Sequence, residues 1–110
     1  MGVKEKFQAL TEKANENLDY LEDKRTVYQF NLSGEQGGTY QLHLNGKQGV
    51  DFFEEEKGEA SIVLEMSDEN FLKLASGNLN PTVAYMGGKI KIKGDLSLAL
   101  KLQSLLKKFT

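Results

Sequence analysis

The sequence predicts an α+β fold in which a five-stranded, mostly antiparallel sheet carries helices packed on one face. Three observations predict it. Residues 26–66 hold four short runs of alternating apolar and polar side chains, separated by turn residues. Residues 3–21 before them repeat apolar side chains at spacings of four and three. After them come two capped helices, a Lys–Ile alternation and an apolar helix, with almost no loop. The expected order is helix-strand-strand-strand-strand-helix-helix-strand-helix. The 110 residues suit a single domain, 1–110, with one core.

In the first helix Val3, Phe7, Leu10, Ala14, Leu18 and Leu21 form the apolar stripe, and glutamates and lysines fill the other face. The first strand alternates Tyr28, Phe30 and Leu32 with Gln29 and Asn31. Gly37-Gly38 supplies the turn. The second strand sets Tyr40, Leu42 and Leu44 against Gln41 and His43, and Asn45-Gly46 is a hairpin signal. A third, shorter strand holds Val50 and Phe52. Glu54-Glu55-Glu56-Lys57-Gly58 reads as a charged loop, and Ile62, Leu64 and Met66 share one face of the fourth strand. Four strands in series imply an antiparallel meander. The fifth, Lys89–Lys93, has two places open to it, in parallel at an edge or centrally.

Ser67 or Asp68 caps the helix that carries Phe71, Leu72, Leu74 and Ala75, and Gly77 stops it. Asn80 caps the next helix, with Pro81 in its first turn. Asp95 or Ser97 caps the last helix. At 100° per residue Leu98, Ala99, Leu102, Leu105, Leu106 and Phe109 of that helix fall within an arc of about 120°. Leu100 lies opposite.

Composition excludes several classes. With no cysteine there is no disulfide, thiolate nucleophile or cysteine-ligated zinc. No apolar run is long enough to span a bilayer, and the charged start lacks the apolar centre of a signal peptide. A cytoplasmic protein is the expectation. His43 is the only histidine, and strand alternation turns it away from Leu42 and Leu44, toward solvent. No partner base accompanies the serines. Asp51, Glu54–Glu56 and Glu59 lack the spacing of a calcium loop, and no glycine run spells a phosphate loop. No enzyme, metal site or cofactor is expected. Nucleic acid is not an expected partner either, because the strand lysines have no interleaved aromatics and the pI is about 5.4.

Charge is unevenly spread. Residues 1–88 carry eight basic and fifteen acidic side chains, net −7, and residues 89–110 carry six lysines and one aspartate, net +5. Such a region suits transient contact with an anionic membrane surface. The plainer reading is a solvated strand and a helix C-terminus, where cations suit the dipole.

The last third reads Gly77-x-x-x-Pro81, then Gly88-Lys89-Ile90-Lys91-Ile92-Lys93-Gly94-Asp95, then Leu98-Ala99-Leu100-Lys101-Leu102. In this order it resembles the sterol carrier protein 2-like family of lipid-binding domains. The resemblance implies a sheet covered by helices over a lipid tunnel, in a stand-alone, single-domain, non-enzymatic carrier. The ligand would be a fatty acid, fatty acyl-CoA, phospholipid or sterol. Eukaryotic relatives often end in a peroxisomal address, which Lys107-Lys108-Phe109-Thr110 does not provide.

Taken with the stripes, the resemblance names Phe30, Leu42, Leu44, Phe71, Leu74, Val83, Met86, Ile90, Leu102, Leu105 and Leu106 as tunnel-lining residues. Arg25, as a bidentate guanidinium, and Gln103, beside the apolar arc, are candidate head-group contacts. The competing expectation is a structural or dimerisation module with a filled cavity. A monomer or weak homodimer is expected.

Overall fold

The computed structural model describes residues 2–109. Helix α1 spans Val3–Asn15, and strands β1 to β4 span Arg25–Ser33, Gly38–Asn45, Val50–Phe53 and Ile62–Ser67. Helices α2 (Asp68–Ala75) and α3 (Pro81–Met86), strand β5 (Lys91–Gly94) and helix α4 (Leu96–Phe109) follow. Single 3-10 turns occupy Leu18–Tyr20 and Gly46–Gln48.

The sheet order is β3-β2-β1-β4-β5. β1, β2 and β3 form antiparallel hairpins, with Phe30 opposite Tyr40 and Leu42 opposite Phe52. The expected four-strand meander is corrected at β4, which runs parallel to β1 with Phe30 opposite Leu64. The fifth strand is corrected too: it spans Lys91–Gly94 and closes the other edge antiparallel to β4, neither in parallel nor centrally.

The loop between β3 and β4 makes this possible by crossing the outer face of the sheet. Its Lys57 N–H donates to Gln41 Oε1 at 3.0 Å, and Gln41 Nε2 donates to the Gly58 carbonyl at 3.1 Å. The loop lands on β1, where Ser61 N–H donates to the Val27 carbonyl and Val27 N–H to Ser61 Oγ. A charged loop is therefore the crossover that a parallel pair requires.

That crossing overturns the expectation of a solvent-facing His43. The side chain is only 5 % exposed, and Gln41 and Gln29 are buried beside it. Arg25 can only donate, so His43 Nδ1 is the acceptor of its guanidinium at 3.4 Å. His43 Nε2–H then donates to Gln41 Oε1 at 2.7 Å. Gln41 Nε2 passes the chain on to Gln29 Oε1 at 2.9 Å. Burial, with Arg25 next in size, pushes the imidazole below its ordinary value, while Asp51 opposes and Lys57 adds to the shift.

The sign of the pH effect follows. The unfolded chain takes up this proton first, as pH falls through about 6.5. Stability contributed by neutral His43 is therefore complete above that value and declines below it. Urea unfolding at pH 7.5 and 5.5 is expected to show lower stability at the acid end, with part of the slope abolished by His43→Gln. An unchanged slope in that variant removes His43 as its source.

The opposite face of the sheet holds the core. Phe7 of α1 is fully buried, its ring centroid 4.3 Å from Phe71, 4.9 Å from Phe52, 5.0 Å from Tyr40 and 5.3 Å from Phe30. One side chain thus joins α1, α2 and three strands. The first helix stops at Asn15, six residues short of the expected end. Asn15 is claimed by the edge strand: its Oδ1 accepts from Val50 N–H at 2.7 Å and its Nδ2 donates to the Val50 carbonyl at 3.1 Å. The side chain acts as a short stretch of neighbouring strand. Gly49 (φ +102°) admits it, since a Cβ there would lie 2.8 Å from Asn15 Oδ1. The chain then turns through Leu18–Tyr20 to bury Leu21 separately.

Caps form at the expected residues. Ser67 Oγ accepts from Asn70 N–H, Asn80 Oδ1 from the N–H groups of Thr82 and Val83, and Asp95 Oδ1 from Ser97 N–H.

Candidate functional site

The apolar faces of α1 and α4 meet over β2 and β3 around a recess. Leu10, Thr11 and Ala14 come from α1, Leu42 and Leu44 from β2, and Val50 from β3. Leu102, Leu105, Leu106 and Phe109 of α4, with Leu21, complete the walls, which are apolar throughout. The space inside is about 30 Å³. That is the scale of one or two water molecules. An alkyl chain enters only if the helical cover gives way.

Beside the recess opens a wider cleft of about 280 Å³ with a different lining: Tyr20, Glu22, Lys24, Thr26, Tyr28, Lys101, Ser104 and Lys108. Leu21, Leu44 and Leu105 line both spaces and form the wall they share. Three lysines face one glutamate here, so the mouth is cationic. Lys101 Nζ lies 2.9 Å from Glu22 Oε2, and Lys108 Nζ lies 4.7 Å from the centre of the Tyr20 ring. The hydrogen bond and the charge of Lys101 hold the Glu22 carboxyl below its usual range. Lys24 and Lys108 have no carboxylate within salt-bridge distance among the described residues.

At the back of the cleft Tyr28 Oη donates to the Leu98 carbonyl at 2.8 Å, tying β1 to the first turn of α4. Burial, then the charge of Glu22, raises the phenol far above its usual value, so it stays protonated at any working pH. It is an anchor rather than an acid–base group. Among the described residues no three His, Asp or Glu side chains are grouped to hold a metal, and no helix is long and apolar enough to cross a membrane.

Of the residues named from sequence, Leu42, Leu44, Leu102, Leu105 and Leu106 come together in the recess. Phe30 and Phe71 lie in the aromatic cluster around Phe7. Leu74 lines a second crevice on the other side of α4, and Ile90 is buried in the core. Val83 and Met86 are corrected: they point outward. α3 has only six residues, and Pro81 and Ala84, three apart, take its inner face, leaving Val83 and Met86 outside.

Arg25 stands on the outer face of the sheet against His43, away from the recess. Gln103 lines the crevice with Leu74, Asn78 and Lys107, across α4 from the mouth. Sequence reasoning missed the three mouth lysines and the contribution of α1. The signal was present in α4, where Lys101, Ser104, Leu105 and Lys108 follow the i, i+3, i+4, i+7 spacing of one helix face.

An apolar recess thus lies against a cationic cleft, the two sharing a leucine wall, an arrangement that suits an amphiphile. Residues 5–107 match the SCP-2 sterol transfer family, and the chain belongs to that family. It is a lipid-binding domain of that family. Sterol carrier protein 2 from Yarrowia lipolytica, in its apo form, superimposes with a TM-score of 0.71 at 27 % identity, covering 92 % of this chain and 86 % of the other. The sterol carrier protein domain 2 of Helicoverpa armigera gives 0.71 at 29 % identity, covering 96 % and 85 %. Among curated proteins, hydroxysteroid dehydrogenase-like protein 2 of Bos taurus is 42 % identical over 105 residues, 96 % of this chain. The chain spans a quarter of that relative's length.

Proposed function

We propose that this domain carries a single-chain lipid with an anionic head, a fatty acid or its acyl-CoA, in preference to a sterol. The tail occupies the recess after α4 yields, and the head rests in the mouth on Lys24, Lys101 and Lys108. The observation that carries this reading is the adjacency of an apolar space and a cationic one, which share Leu21, Leu44 and Leu105 as lining residues. Each methylene withdrawn from water contributes about 0.8 kcal/mol toward opening the cover. Lysine suits the head because its charge sits on a flexible stem and adapts to a carboxylate or a phosphate.

Displacement of a fluorescent fatty-acid analogue tests the assignment of tail and head together. A long-chain fatty acid is expected to displace the probe about tenfold better than the corresponding alcohol, a difference of roughly 1.4 kcal/mol. Lys24→Gln combined with Lys108→Gln is expected to erase most of that difference while leaving the alcohol unaffected. Equal displacement by acid and alcohol, before and after substitution, would refute the lysine mouth.

The second reading is a structural or dimerisation module with a filled cavity. The observation that favours it is the recess volume of about 30 Å³. Absence of saturable binding by folded, delipidated protein would establish it over the carrier.

A further inference from the structure

We propose that the outward face of α3, together with the lysines that follow it, is a docking surface for an anionic phospholipid bilayer. It builds on the lipid-carrying reading, since a carrier must meet the membrane that supplies its cargo. It uses none of the residues of the recess or the mouth.

Met86 is 81 % exposed, Val83 65 % and Tyr85 40 %. Met86 and Val83 are the most exposed large apolar side chains among the described residues. They are presented firmly. Asn80 caps the helix through Thr82 and Val83, while buried Pro81 and Ala84 hold its inner side to the core. Gly88 (φ +78°) turns the chain sharply, and Lys89 N–H returns to the Ala84 carbonyl at 2.8 Å. The turn sets exposed Lys89 and Lys91 immediately after the apolar tip.

Charge identifies the occupant. From Asn70 to Gly94 there is no carboxylate, and four lysines stand in that stretch. Lys93 is taken by Glu65 at 3.4 Å, and Glu65 also stands opposite Lys91 in the strand pair, but neither Lys89 nor Lys91 has a carboxylate within salt-bridge distance among the described residues, so the patch keeps a net positive charge. An anionic bilayer answers both features, with phosphates for the ammonium groups and acyl boundary for Val83 and Met86. A second copy packed on the same patch would set lysine against lysine across a two-fold axis. A nucleic acid would leave the methionine and valine without an apolar partner.

Co-sedimentation with vesicles tests this on the whole chain. The native protein is expected to partition at least about fivefold more strongly onto phosphatidylcholine vesicles containing about 30 % phosphatidylserine than onto phosphatidylcholine alone. Val83→Ser with Met86→Ser, and separately Lys89→Gln with Lys91→Gln, are each expected to lower that binding about fivefold or more. Both pairs are exposed, so folding and fatty-acid displacement should stay as in the native protein. Two results would overturn the proposal: variants that bind vesicles like the native chain, or a concentration-dependent dimer that the Val83/Met86 pair abolishes. If fatty-acid binding fails throughout while the vesicle results hold, the carrier reading falls and the docking surface stands.

Discussion

Phe7→Ala is expected to cost about 3–5 kcal/mol of folding stability, the range for emptying an aromatic site in a core. For a domain of this size the midpoint of thermal unfolding should fall by about 15–25 °C. The ring is fully buried and touches four other rings, from α2 and strands β1, β2 and β3. Its removal leaves a cavity that rigid neighbours on a sheet cannot collapse to fill. Phe7→Leu keeps most of the volume and is expected to cost less than half as much. Urea unfolding of both variants measures the difference. A loss under about 1 kcal/mol for alanine would mean that α1 is not the keystone of this core.

The second large effect concerns ligand rather than fold. Leu105→Glu puts a carboxylate into the wall shared by recess and mouth, where it is expected to meet the tail of an incoming lipid and repel its head. Fatty-acid affinity is expected to fall by more than about tenfold. Leu105 is only half-buried, so the fold should survive, whereas Leu102 and Leu106 are buried too completely for a charged substitution to be informative. Leu100→Glu is the control on the same helix. Its side chain is 52 % exposed on the opposite side of α4, and affinity should be unchanged. Equal losses at the two positions would place the lipid elsewhere.

Local signals in the sequence carry much of this architecture. The alternation of Tyr28, Phe30 and Leu32 names the core face of β1 correctly, and Ser67, Asn80 and Asp95 mark three helix starts. The apolar arc of α4 is the arc that covers the recess. Resemblance in the last third points to the family that residues 5–107 match.

What escaped the sequence depends on contacts between distant residues. Alternation shows that Gln41 and His43 share a face but not that a loop fifteen residues later will cover it. The first helix ends at Asn15 because Val50 binds the Asn15 side chain, a partner 35 residues away. Val83 and Met86 were misplaced because six residues make too short a helix for periodicity to show which side faces in. Lys24 reaches the mouth from a different element than Lys101 and Lys108, so no spacing in the chain announces the cluster.

The two ends of α4 are held very differently. Its first turn is fastened by a buried hydrogen bond from Tyr28 to Leu98 and by the Asp95 cap. Its later turns bury Leu102 and Leu106 in the core, but their polar edge meets the segment after α1 through surface contacts only, with Phe109 and Lys108 against Tyr20 and Lys101 against Glu22. Exposed contacts of that kind contribute little. Of its two ends the first turn is the one tied by hydrogen bonds, so a cargo that forces entry is expected to lift the distal end, where Phe109 lies, before the end at Leu98.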